Sequence, residues 1–111
     1  MSDAFEDIEI SPTQVKERLE DNEPFLFVDV REPWERETAS IAGSVLIPLG
    51  EIPAHLGEFE DANEIVLYCH HGMRSLDAAA WLRSQGVAGV RSMAGGIERW
   101  SIEVDSSVPR Y

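Results

Sequence analysis

The feature that most constrains this chain is a short apolar run with no helical period, Phe25-Leu26-Phe27-Val28-Asp29-Val30. A strand with one wet face alternates apolar and polar residues, so a nearly continuous run predicts a strand covered on both faces. Helices on both faces of a parallel sheet satisfy that demand, and the order of the remaining segments supplies them. Ile8-Glu9-Ile10 reads as a short strand, after which Ser11 can cap a helix that has Pro12 in its first turn and Gln14 completing a capping box. Val15 and Leu19 give that helix its apolar stripe. Pro33 to Thr38 reads as a short helix, Val45-Leu46-Ile47 as a strand stopped by Pro48, and Glu51 to Glu58 as a brief helical stretch. Glu64-Ile65-Val66-Leu67-Tyr68 is the next strand. Ser75 to Gln85 is read as a helix with Ser75 at the cap, Asp77 in the first turn and Gly86 as its stop. Val90-Arg91-Ser92-Met93 is a fifth strand, Gly95-Gly96 a turn, Ile97 to about Ile102 a last helix, and 103–111 an irregular tail. The expected fold class is α/β, a central five-stranded parallel sheet with helices on both faces.

A length of 111 residues leaves room for one domain, taken as 1–111. No apolar run reaches the roughly 20 residues of a membrane helix, and Met1-Ser2-Asp3-Ala4-Phe5-Glu6-Asp7 is too acidic for a signal peptide, so a cytoplasmic protein is expected. With 21 acidic residues against 9 basic ones and Lys16 the only lysine, the chain has no broad footprint for a phosphate backbone, which argues against nucleic acid. The net charge of −12 reads first as a well-hydrated surface; adaptation to salt and recognition of a basic partner are the other readings. Cys69 is the only cysteine, so its thiol has no partner within the chain, and His55, His70 and His71 are poorly spaced to build a metal site around it.

Cys69 opens the stretch Cys69-His70-His71-Gly72-Met73-Arg74-Ser75, directly after a strand and before a helix. Active sites of open α/β sheets lie beyond the carboxyl ends of strands. Backbone N–H groups entering a helix can converge on one point and favour an anion there, here a thiolate. Gly72 permits a backbone turn closed to most residues, Arg74 adds a permanent cation, and Ser75 can turn the chain into the helix. Each residue also has a plain reading: a buried cysteine as apolar filler, histidines as loop formers, Arg74 paired with one of many carboxylates. Their joint spacing is what favours an anion cradle.

At these residues the chain resembles the rhodanese domain of sulfurtransferases, over nearly its whole length. The Cys69 to Ser75 stretch is similar to the family's active-site loop, and Val28-Asp29-Val30-Arg31-Glu32 to its early Asp-Val-Arg signature. Ile41-Ala42-Gly43-Ser44 through Ile47-Pro48-Leu49 and the ending Gly95-Gly96-Ile97-Glu98-Arg99-Trp100 match two further segments in the expected order. Ser40 departs from the family, many of whose members carry histidine before the isoleucine.

The resemblance implies a rhodanese-like fold and a sulfurtransferase, with Cys69 as the nucleophile. It would take the outer sulfur of a small donor such as thiosulfate or a persulfide and pass it to a thiol, cyanide or a sulfur-acceptor protein. His70, His71, Gly72, Met73, Arg74 and Ser75 form the expected substrate-binding loop, in which the amides of His70 through Arg74 stabilise the persulfide; no metal or organic cofactor is implied. Asp29 and Arg31 are expected to pair and steady neighbouring loops, and Trp34, Trp81 and Trp100 to be core or near-core. Other readings are a persulfide relay to a protein, a noncatalytic interaction module, and a cysteine phosphatase or arsenate reductase. The last two place arginine after five intervening residues, whereas four separate Cys69 from Arg74. The negative net charge would repel dianionic thiosulfate unless the mouth of the site is locally positive.

Overall fold

A computed structural model of the chain describes residues 7–111. The stretch 1–6, most of the segment read above for a signal peptide, lies outside the described residues. Five parallel strands form one sheet in the order β1-β5-β4-β2-β3: β1 (Glu9–Ile10), β2 (Leu26–Asp29), β3 (Val45–Leu46), β4 (Ile65–Tyr68) and β5 (Val90–Met93). β4 lies at the centre, with Val28 opposite Leu67 and Asp29 opposite Tyr68 on one side and Leu67 opposite Ser92 on the other. The helices are α1 (Pro12–Glu20), α2 (Pro33–Thr38), α3 (Leu56–Asp61), α4 (Met73–Ser84) and α5 (Gly96–Glu103).

The pleat sends successive side chains to opposite faces, and the two faces build separate cores. Val28, Ile65, Leu67 and Cys69 pack with Phe59, Ala78 and Leu82 of α3 and α4. Phe27, Val66 and Tyr68 pack with Val15 of α1 and with Ile97 and Trp100 of α5. This is the α/β architecture expected from the apolar run at Phe25 to Val30.

Several boundaries differ from the sequence reading, each for a local reason. The helical stretch expected over Glu51 to Glu58 is a 3-10 helix, Leu49–His55, followed by α3. Pro53 sits inside it, where a proline has no amide to donate and crowds the preceding turn. α4 begins at Met73, so Ser75 is not its cap and Asp77 lies beyond its first turn; Gly72, at φ 100°, holds the cap position and turns the chain straight into the helix. Trp100 is 5% exposed as a core residue should be, but Trp34 is 60% and Trp81 36% exposed, which corrects their assignment to the core or its edge. No helix or strand follows Glu103, yet Val104, Val108 and Tyr111 pack against the α1 and α5 side of the sheet. No described helix is long and apolar enough to cross a membrane.

The start of α5 is fastened to the loop after β4. The amide of Ile97 donates to the carbonyl of Cys69 at 2.9 Å and that of Glu98 to the carbonyl of His70 at 3.1 Å. Gly96 makes this approach possible: its φ is 62°, and a Cβ there would collide with both of those carbonyl oxygens. Gly96→Ala is therefore expected to destabilise the fold by about 1–3 kcal/mol and to loosen the attachment of the loop after β4 to α5. Urea unfolding reads the first effect and amide hydrogen exchange over 69–72 the second.

Candidate active site

Cys69 stands at the carboxyl end of the central strand, and its residue surface is only 1% exposed. Its Sγ accepts hydrogen bonds from the amides of Gly72 at 3.2 Å and Ser75 at 3.3 Å. The Ser75 hydroxyl lies 3.4 Å from the sulfur and 2.7 Å from the Ser92 hydroxyl. With Cys69 as a thiolate, the one Ser75 hydroxyl proton can go to sulfur or to the Gly72 carbonyl at 3.3 Å, and Ser92 can donate to Ser75 in turn. Two amides therefore converge on one sulfur atom, with the Ser75 hydroxyl in reach as a third donor. Of the amides expected to do so, Gly72 belongs to the anticipated range His70 to Arg74, whereas Ser75 lies one residue past it and reaches the sulfur because α4 starts early.

His70 and His71 stack on each other, ring centroids 3.9 Å apart and 26° from parallel. On its other side His70 stacks on Tyr111 at 3.9 Å and 9°. Burial, helped by the charge of His71, lowers the His70 pKa below its ordinary value and favours the neutral ring near pH 7. Met73, in the first turn of α4, is 68% exposed.

Arg74 is engaged by a carboxylate. Its Nη1 and Nη2 donate to Glu35 at 2.7 and 2.9 Å in a bidentate pair. Glu35 also accepts the Tyr111 hydroxyl at 2.6 Å and the Glu32 amide at 3.1 Å. The Arg74 guanidinium is the main reason that Glu35 is held down at about 2, against the burial that pushes it up. Burial, then the bond to Glu35, push Tyr111 up to about 12, so its hydroxyl keeps its proton.

Tyr111 accepts from Arg31 Nη1 at 2.8 Å, which joins this cluster to a second one beneath it. Arg31 is fully buried and donates two parallel hydrogen bonds to Asp29, Nε to Oδ1 and Nη2 to Oδ2, each at 2.8 Å. Arg36 reaches Asp29 Oδ2 at 3.3 Å and the Ser44 hydroxyl at 2.9 Å, and Ser44 lies 2.8 Å from the Tyr68 hydroxyl. Asp29 and Arg31 thus form the structural pair anticipated for them. Sequence reasoning missed Glu35 and Tyr111. Glu35 had a faint signal, since it stands three residues after Glu32 at a proline-started helix, a capping arrangement the structure contains; Tyr111 had none.

The arrangement suits a single anionic atom on Cys69, held by backbone donors and walled by a hydrogen-bonded set of charges. Among the described residues no group of three or more His, Cys, Asp or Glu side chains is placed to hold a metal ion.

Fold and loop together define an α/β protein with a cysteine at the mouth of its sheet, and comparison with known proteins agrees. A model of the rhodanese-like domain matches residues 11–103. A sulfurtransferase of Allochromatium vinosum is 36% identical over 93 residues, covering 84% of this chain and 87% of that protein. The thiosulfate sulfurtransferase GlpE of Pseudoalteromonas translucida is 34% identical over 107 residues, covering 96% and 99%. A rhodanese-like domain protein of Staphylococcus aureus superposes with a TM-score of 0.74 at 26% identity, over 93% of this chain and 97% of that one. Other relatives are longer, and the chain spans between 23% and 50% of their length. The chain belongs to the rhodanese-like domain family.

The depressed Glu35 carboxyl gives a pH signature. A carboxylate with a folded-state pKa below its unfolded value stabilises the fold above the unfolded value and ceases to do so as pH falls through the folded one. Urea midpoints should therefore drop as pH is lowered from about 4.5 towards about 2. Glu35→Gln, measured beside the wild type, should be less stable at neutral pH and show a shallower drop across that window.

Proposed function

We propose that this chain is a sulfurtransferase that carries a sulfane sulfur on Cys69. The observation that carries the reading is the convergence of the Gly72 and Ser75 amides on the Cys69 sulfur at the end of the central strand. With thiosulfate as donor, the Cys69 thiolate attacks the outer sulfur; the sulfur–sulfur bond of thiosulfate breaks and its electron pair leaves on sulfite. The product is a Cys69 persulfide anion, with no net proton change and no metal or organic cofactor required. Its outer sulfur lies about 2 Å beyond Sγ, which carries the transferable atom towards the mouth. An acceptor anion then attacks that atom: cyanide leaves as thiocyanate, a thiolate as a persulfide, and the Cys69 thiolate returns. With no second cysteine to form a disulfide, the acceptor must come from outside the chain. A protein acceptor would make the same chemistry a relay.

The phosphatase reading is disfavoured by Arg74, whose fork is closed on Glu35 and so is not free to clasp a phosphoryl group. Incubation with thiosulfate or with a hydropersulfide is expected to add about 32 Da, one sulfur atom, and Cys69→Ser should prevent it. A wild type left unmodified by both donors would falsify the assignment. Hydrolysis of an aryl phosphate at rates above those of the Cys69→Ser variant would point to the phosphatase class instead.

A further inference from the structure

The donor's charge can be read from how the chain spends its cations. Each of the 9 basic residues has a carboxylate within 3.9 Å, and 12 acidic residues are left in excess. The shortage matters most at the loop. Arg74 is bound at both nitrogens by Glu35, and Arg31 behind it is bound by Asp29. His70, neutralised by burial, adds no positive charge near pH 7. Apart from these closed pairs and the Arg110–Glu98 pair next to His70 and His71, the flank of the loop is aromatic and apolar. The ring of Tyr111 lies flat on His70, Trp34 meets Tyr111 edge-on at 6.0 Å, and Trp34 and Met73 are 60% and 68% exposed.

Attack on the terminal sulfur of a donor leaves the rest of the donor outside Cys69, beside the loop residue His70, against which Tyr111 and then Trp34 are packed in turn. For thiosulfate that remainder is an anionic sulfonate, set in the field of a strongly acidic protein whose arginines nearest the loop, among the described residues, are each already paired with a carboxylate. Repulsion of that kind slows encounter and is relieved by salt. An organic remainder instead gains contact with the rings.

Building on the sulfurtransferase reading, we infer that the site takes an organic sulfane-sulfur donor bearing at most one negative charge, its organic group lying against Tyr111 and Trp34. With an organic thiosulfonate the Cys69 thiolate takes the terminal sulfur, the bond to the sulfonyl sulfur breaks, and its electron pair leaves on the sulfinate. With a hydropersulfide the leaving group is the thiolate.

Benzenethiosulfonate, a monoanion, and thiosulfate, a dianion, offer the same terminal sulfur and test this with the full chain and cyanide as acceptor. Thiocyanate formation is measured for each and normalised to its uncatalysed rate. The normalised kcat/KM for benzenethiosulfonate should exceed that for thiosulfate by about tenfold or more at low salt. Raising salt from about 20 mM to about 500 mM should raise the thiosulfate value severalfold and narrow the gap. Trp34→Ala should lower the ratio of the two values by about fivefold, through KM for the aromatic donor. Equal normalised values, a thiosulfate value that falls with added salt, or a ratio unmoved by Trp34→Ala would overturn the inference. Failure of the sulfurtransferase reading shows separately, as absence of the added sulfur on Cys69 with either donor.

Discussion

The site depends on a pair of backbone hydrogen bonds, those from the Ile97 and Glu98 amides to the Cys69 and His70 carbonyls. A trans peptide points its N–H opposite to its C=O, and no peptide bond among the described residues is cis. Anchoring these two carbonyls on α5 therefore turns the amides of His70 and His71 away from α5. The loop is oriented before any side chain contributes. The cost is borne by Gly95 and Gly96, both at positive φ, and the approach at Gly96 is too close for any Cβ. The last helix thus does two jobs: Ile97 and Trp100 close one core, while its first turn holds the loop that grows out of the sheet's centre.

Below the loop, charge is buried in a form that limits its cost. Arg31 and Asp29 have no exposed surface, and an isolated ion so placed would be several kcal/mol unfavourable. Here the guanidinium also donates to the Ala39 carbonyl at 2.6 Å and to Tyr111, while Asp29 additionally accepts the Arg31 amide at 3.0 Å and Arg36. Such a set gains less in stability than in uniqueness of arrangement, because any shift of one member leaves another buried and unpaired. It ties β2, the start of α2, the 39–44 segment and Tyr111 into one wall, with Glu35 linking that wall to Arg74.

What was legible in the sequence followed from short-range chemistry. Phe25 to Val30 announced a two-sided strand because its apolar pattern has period neither two nor 3.6, and Ser11 with Pro12 and Gln14 announced α1 because a capping box is local. Cys69 and Gly72 were legible from their position between a strand and a helix. Ser75 was misread as a cap, since nothing in the sequence says that Gly72 will enter the helix at once and leave Ser75 free to face sulfur. Trp34 was misplaced because a large aromatic residue is usually buried, and its exposure is decided by how α2 sits on the sheet. Glu35 and Tyr111 lie 76 residues apart and meet only through the tertiary fold. No spacing rule along the chain connects them, and an irregular tail gives no reason to expect a ring against the active loop.

The same contact that makes Arg74 rigid also takes away its usefulness as a free cation. A bidentate carboxylate holds the guanidinium plane in place, and the Glu35 charge cancels most of the field that the arginine would project. Stabilising an anion at Cys69 then rests on dipoles, the Gly72 and Ser75 amides and the Ser75 hydroxyl, whose influence is short-ranged and directional. A centre of that kind holds a sulfur anion that is already in contact but does little to draw a distant one in. Holding an anion already at Cys69 and attracting an anion from a distance are separate properties, and the geometry of this loop serves the first.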